Sequence, residues 1–251
     1  MAKRQRVWNQ AKYESYLKSG RGQGEGSKYL PWISIHDLSS KGLSSRVFSY
    51  KTNHVHHFLS HNELCFFYML EWSNQVLDIR EQFPMLDVKL ATDIAKRAGI
   101  RYPRYNISGF PYILTCDFMI TTENGLKART IKSVSDLKNK QTLEKLEIER
   151  RYWDTFGIDW SIVTEHGIDF QNVKRIEWLY TSAILPKHLE DLKYREEILK
   201  RIESTSIQKV ATWFDAEYEY PAGSGLHLIK HMMWHKEIDI EIDSVMNVIG
   251  R

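Results

Sequence analysis

Glu63, Asp117 and Lys132 are the residues whose types and spacing could carry chemistry in this sequence. Asp117 lies in ILTCDFMITTE and Lys132 in LKARTIKSV, strand-like runs on either side of Asn124-Gly125. That dipeptide is a strong two-residue hairpin signal; with it as the loop, Glu123 pairs with Leu126 and Asp117 faces Lys132. Opposed residues on one sheet face have Cβ atoms about 4.5–5.5 Å apart, so a carboxylate and an ammonium can share one small site or form a plain cross-strand salt bridge. Glu63 lies in NELCFFYMLEW, where helical spacing puts it on the apolar stripe of Phe67 and Leu70. A charge on such a stripe needs a basic partner, for which Arg80 is at hand, or a metal. Glu63, Asp117 and the Ile131 carbonyl would offer hard oxygen ligands suited to Mg²⁺, with Mn²⁺ as a substitute. Lys132 would orient a water or neutralise developing charge, and together these are the requirements of metal-assisted phosphodiester hydrolysis. Thr130, Arg80, Gln82 and Glu149 are candidates for supporting roles. Arg80 and Gln82 close a strand, where they brace Glu63 or contact DNA; Glu149 is a solvated helical ion-pair partner or reaches toward the metal.

The elements that must position these groups can be read in order. VFSYKTNHVHHFLS predicts two short strands around Thr52-Asn53, followed by a helix from Asn62 to Trp72 and a strand at VLDIREQF. VKLATDIAKRAGI predicts a helix closed near Gly99; TLEKLEIERRYWDTF predicts a charged amphipathic helix and DWSIVTE a further strand. This α/β region, residues 1–166, is expected to be one domain. Residues 167–251 are expected to form a mainly helical, winged-helix-like interaction domain, because KEIDIEID follows the helices and alternates Ile238, Ile240 and Ile242 with four acids like a one-sided strand. Trp153, Trp160, Trp178 and Trp213 fit helical or strand periodicity and read as core anchors.

Composition narrows the class. The chain has 251 residues, 42% hydrophobic and 27% charged, which excludes a disordered tail and a mini-scaffold. A formal charge of +3 barely predicts a polyanionic partner, but the first thirty residues carry seven basic side chains against two acidic ones. That stretch, with glycines at 20, 22, 24 and 26, reads as a flexible basic arm that grips phosphates without reading bases. No apolar run approaches the roughly 18–20 residues of a bilayer span, and the N-terminus lacks the apolar core of a signal peptide, so a cytoplasmic protein with no membrane contact is expected. Cys65 and Cys116 sit in apolar runs and read as reduced core residues; His54, His56 and His57 read as surface or packing histidines.

An Asp on one strand followed by acid-x-Lys on the next is the signature of restriction-endonuclease-like nucleases, and Asp117 with Thr130-Ile131-Lys132 resembles it except that the acid is missing. KSGRGQG from Lys18, YLPW from Tyr29, VLDIREQFP from Val76, TLEKLEIERRYW from Thr142 and IEWLY from Ile176 are together similar to the TnsA family, the endonuclease subunits of heteromeric cut-and-paste transposases. In that family the position of Thr130 is usually a glutamine, so the acidic slot is already non-acidic, whereas the positions of Glu63, Asp117 and Lys132 keep the expected residue. The resemblance implies a restriction-endonuclease-like domain that forms a central mixed sheet flanked by helices, with a helical second domain. It also implies Mg²⁺-dependent nicking of the 5′ strands at transposon ends in a bacterial, nucleoid-associated complex. The implied partners are transposon-end DNA, a TnsB-type transposase for the 3′ strands and a TnsC-type ATPase regulator docked on the second domain. The alternative is a non-catalytic DNA-binding or assembly module of the same complex.

Overall fold

The computed structural model describes residues 8–37 and 44–240, which divide into two compact units, one running to Ile168 and the other beginning at Asp169. In the first unit, α1 (Gln10–Lys18) precedes a ribbon of β1 (Ser45–Ser49) and β2 (His54–Phe58). Then come α2 (His61–Trp72), β3 (Val76–Pro84), α3 (Val88–Arg97), β4 (Thr115–Thr122), β5 (Gly125–Ile131), α4 (Lys140–Thr155) and β6 (Asp159–Val163). The main sheet has the order β3-β4-β5-β6, antiparallel except for the parallel β5–β6 pair. A parallel pair needs a crossover, and α4 provides it.

Side chains of β4 enter two layers. Cys116 and Met119 join Ile94 and Ala95 of α3 and Ile148, Tyr152 and Trp153 of α4 in one core. Phe118 packs on the other face against Phe66 of α2, with ring centroids 5.3 Å apart, and against Phe58 of β2 at 5.9 Å. Each fully buried aromatic contributes about 1.5–3 kcal/mol of transfer free energy. Both cysteines are buried, and neither forms a disulfide.

Two sequence expectations are corrected here. The hairpin turns on Glu123-Asn124, with Thr122 paired to Gly125, two residues away from the expected register. A type I′ loop on Asn124-Gly125 needs positive φ at both residues, and Asn124 keeps a negative one while Gly125 takes φ +108°. The glycine-rich part of the expected arm is also not flexible. The Gly22 N–H donates to the Leu30 carbonyl at 2.6 Å, the Trp32 N–H to the Gln82 carbonyl at 3.3 Å and the Tyr29 hydroxyl to the Glu81 carbonyl at 2.8 Å. A Cβ on Gly22, at φ +71°, would stand 2.3 Å from Pro84 Cγ, so only glycine lets this segment lie against β3. Of the basic arm, Lys3, Arg4 and Arg6 lie outside the described residues, and Arg21 pairs with Asp37 at 2.6 Å.

The second unit is helical: α5 (Phe170–Tyr180), α6 (Leu192–Ile202), α7 (Ile207–Glu217) and α8 (Ser224–Trp234) bury Ile176, Ile198, Phe214, Leu228 and Met232. The expected closing strand is absent from residues 237–240, which follow a reversal at Lys236, φ +60°, and residues 241–243 lie outside the described range. Glu237 is not a free carboxylate but pairs with Arg195. Trp178 is 46% exposed rather than a core anchor.

Candidate active site

Four elements of the first unit converge on a cleft of about 480 Å³. Glu63 stands in the first turn of α2, behind the N-cap Ser60. Ser60-x-x-Glu63 is a capping box: the Ser60 side chain accepts from the Glu63 N–H at 3.2 Å, its hydroxyl donates to Glu63 Oε1 at 2.8 Å, and the Leu59 N–H donates to Oε2 at 3.0 Å. The helix N-terminus favours an anion there, yet the Glu63 carboxyl is pushed up to about 7, first by burial and then by the charge of Asp117.

Asp117, on β4, is gripped from three sides. Its Oδ2 accepts from the Ile131 N–H at 2.7 Å and from Lys132 Nζ at 3.1 Å, and its Oδ1 from Gln82 Nε2 at 3.2 Å. The observed register, continued by one pair, sets Asp117 opposite Thr130 rather than Lys132. Lys132 still reaches it along the diagonal from just past the end of β5, a span open to long side chains. Its ammonium also donates to the Ile131 carbonyl at 2.8 Å. Burial works against the charged Lys132, but Asp117, Glu149 and Glu63 together hold its pKa above the usual lysine value.

Gln82 has a left-handed backbone, φ +48°, in the middle of a strand residue run. Its amide bridges Asp117 and Thr115, whose hydroxyl donates to Gln82 Oε1 at 3.1 Å. A non-glycine residue at positive φ costs of order 1–3 kcal/mol and persists only where its surroundings dictate it.

Glu149 of α4 is buried rather than solvated: Thr130 donates to its Oε1, as does Trp160 Nε1 at 2.8 Å. Burial raises its carboxyl to about 7, against those hydrogen bonds. Thr130 is therefore spent on Glu149. Arg80 turns elsewhere, lying 3.4 Å from Asp78 and donating to the Thr121 hydroxyl at 3.0 Å, so it does not brace Glu63. Lys145 on α4 also lines the cleft; nothing in its charged helical context distinguished it in the sequence.

Of the three histidines, one is a packing residue of the core. His56 is fully buried and bonded to Glu81 at 2.6 Å, on the face of β3 turned to the ribbon.

Comparison with known proteins identifies the family. Residues 73–165 match the family model described as TnsA-like endonuclease N terminal, and residues 168–242 the one described as TnsA endonuclease C terminal. Over 236 residues the chain is 37% identical to the transposon Tn7 transposition protein TnsA of Escherichia coli, an alignment covering 92% of this chain and 85% of that protein. Matched by both models and by that relative over most of its length, this chain belongs to the TnsA endonuclease family.

Proposed function

We propose that this chain hydrolyses the 5′ strands at the ends of a transposable element, with Glu63, Asp117 and the Ile131 carbonyl holding Mg²⁺ and Lys132 beside the attacking water. The observation that carries this reading is a cleft lined by Glu63 and Lys132, with the buried Asp117 carboxylate 3.1 Å from the Lys132 ammonium and close enough to Glu63 to raise its pKa. The donor set fits a hard cation: the Glu63 carboxyl is raised to about 7 by burial and by Asp117, and a divalent charge between the two relieves both. Mn²⁺ suits the same oxygens. Bound there, the ion supplies Lewis-acid polarisation of the scissile phosphate.

The remaining work falls to the chain itself. Asp117 is fixed by Gln82, the Ile131 N–H and Lys132, so it meets its ligand without reorganisation. Lys132, tethered at Asp117 and Ile131 with its side chain 30% exposed, holds the attacking water and neutralises charge as it develops on the phosphate. Glu149 and Thr130 support the cleft floor behind Ile131. Transposon-end DNA, a TnsB-type transposase and a TnsC-type regulator are the partners this reading implies.

A strand-resolved cleavage assay tests it, on labelled transposon-end DNA with Mg²⁺, using the chain alone, with its TnsB-type partner, and as Asp117→Asn. Partner-dependent 5′ nicking, lost in a variant that still assembles, is expected. Nicking that survives the substitution moves the active site elsewhere, and no nicking under any condition makes the chain an assembly module.

A further inference from the structure

Between the β1–β2 ribbon and β3, two imidazoles and a carboxylate meet at a place the nuclease reaction does not use. His54 and His56 are two residues apart on β2 and share a face; Glu81 comes from β3. His56 is 0% exposed and Glu81 1%. Glu81 Oε2 lies 2.6 Å from His56 Nδ1, and Oε1 accepts from the His57 N–H at 3.1 Å and stands 3.7 Å from His54 Nε2. That nitrogen is shielded from solvent yet has no hydrogen-bond partner among the described residues. A buried polar atom left orphaned costs free energy, and an ion is one of the few things that explains it. The three ligand atoms lie within 4.8 Å of one another.

We propose that His54, His56 and Glu81 form a second metal site, separate from the hydrolytic one, which takes a zinc-class transition-metal ion and fastens the ribbon to β3. Two imidazole nitrogens and one carboxylate select such an ion over Mg²⁺, which prefers an all-oxygen shell. Water completes the tetrahedron from the side where the His54 ring stays 15% exposed. Bond lengths of about 2.0–2.1 Å put tetrahedral ligand atoms roughly 3.3 Å apart, so the two contacts of Glu81 shift by well under about 1 Å and the two imidazole nitrogens close by at most about 1.5 Å. The ion binds Nδ1 of the neutral His56 ring and the ionised Glu81 carboxylate, so a proton held between them moves to Nε2 or leaves to solvent. The metal-bound His56 ring then carries its one proton on Nε2 and donates it to Thr52 Oγ1, 2.8 Å away. Thr52 is itself anchored, its N–H donating to Ser49 Oγ at 3.0 Å and Ser49 in turn to Glu71 at 2.7 Å. Such outer partners set the tautomer of a ligating histidine.

The test uses untagged full-length protein carrying Asp117→Ala, which removes the oxygen site's claim on the cation and makes the result independent of the nuclease reading. Titration with Co²⁺ should give one equivalent of the intense visible bands of tetrahedral cobalt, displaced by Zn²⁺ and not by excess Mg²⁺. Adding His54→Ala should weaken Co²⁺ binding at least tenfold while the metal-free melting temperature stays close to the parent's; if that variant does not fold, His54→Gln decides. No uptake, bands without tetrahedral intensity, or bands indifferent to the His54 substitution would each overturn the proposal and leave a buried histidine–carboxylate ion pair.

Discussion

Glu149 holds its proton up to about pH 7 because burial opposes its charged form more than Thr130 and Trp160 favour it, whereas an unfolded glutamate releases its proton near 4.5. The native state therefore binds the extra proton, and stability falls as pH rises from about 4.5 to about 7 and stays at the lower level above. Glu149→Gln removes that loss while keeping an amide oxygen for both donors. Its Tm should exceed the parent's above pH 7 and match it below about 4.5; a melting series in which the variant is less stable at high pH contradicts the assignment. Lys132→Met should leave the fold intact, since the side chain is 30% exposed, and slow single-turnover nicking by about 10²–10⁴-fold. Undiminished nicking would exclude Lys132 from the reaction. Glu63, Asp117 and Lys132 were legible from residue type and helical or strand spacing. The burial of Glu149 was not, because Glu147, Arg150 and Arg151 on the same helix form an exposed ion-pair cluster, and nothing local announces that Trp160 covers position 149.

β3 shows what backbone conformation adds. Gln82→Gly keeps the left-handed φ without strain but loses the amide that holds Asp117. Stability should be unchanged or higher by about 1 kcal/mol while nicking falls, a separation that denaturant melts and cleavage rates measure together; equal loss of both would mean the residue is merely structural. Gly22→Ala should cost about 1–3 kcal/mol or more in denaturant unfolding, because the new methyl meets Pro84 at a backbone angle that resists any side chain. A neutral substitution would restore the reading of this stretch as a flexible arm. The elements themselves were legible as apolar runs between turn signals, α2 and β3 within a residue of their observed ends. What escaped were choices set by one residue's φ: Asn-Gly serves two hairpin geometries, and the sequence alone does not distinguish a left-handed Asn124 from a right-handed one. Glycine-rich composition likewise suggested freedom where close approach to Pro84 demanded glycine.

As a whole the molecule is two separately cored units, and the helical one closes its own core around Ile198, Phe214 and Leu228. Residues 169–251 expressed alone should give a helical circular-dichroism spectrum and a cooperative thermal transition; a broad, non-cooperative melt would show that the unit depends on the rest of the chain. The main sheet begins with β3, an end strand that would otherwise present bare carbonyls. Tyr29 and Trp32 occupy those of Glu81 and Gln82. The N-terminal segment thereby acts as a guard against edge-to-edge association between copies, so trimming the first thirty-two residues would be expected to yield a protein that folds its sheet yet precipitates through it.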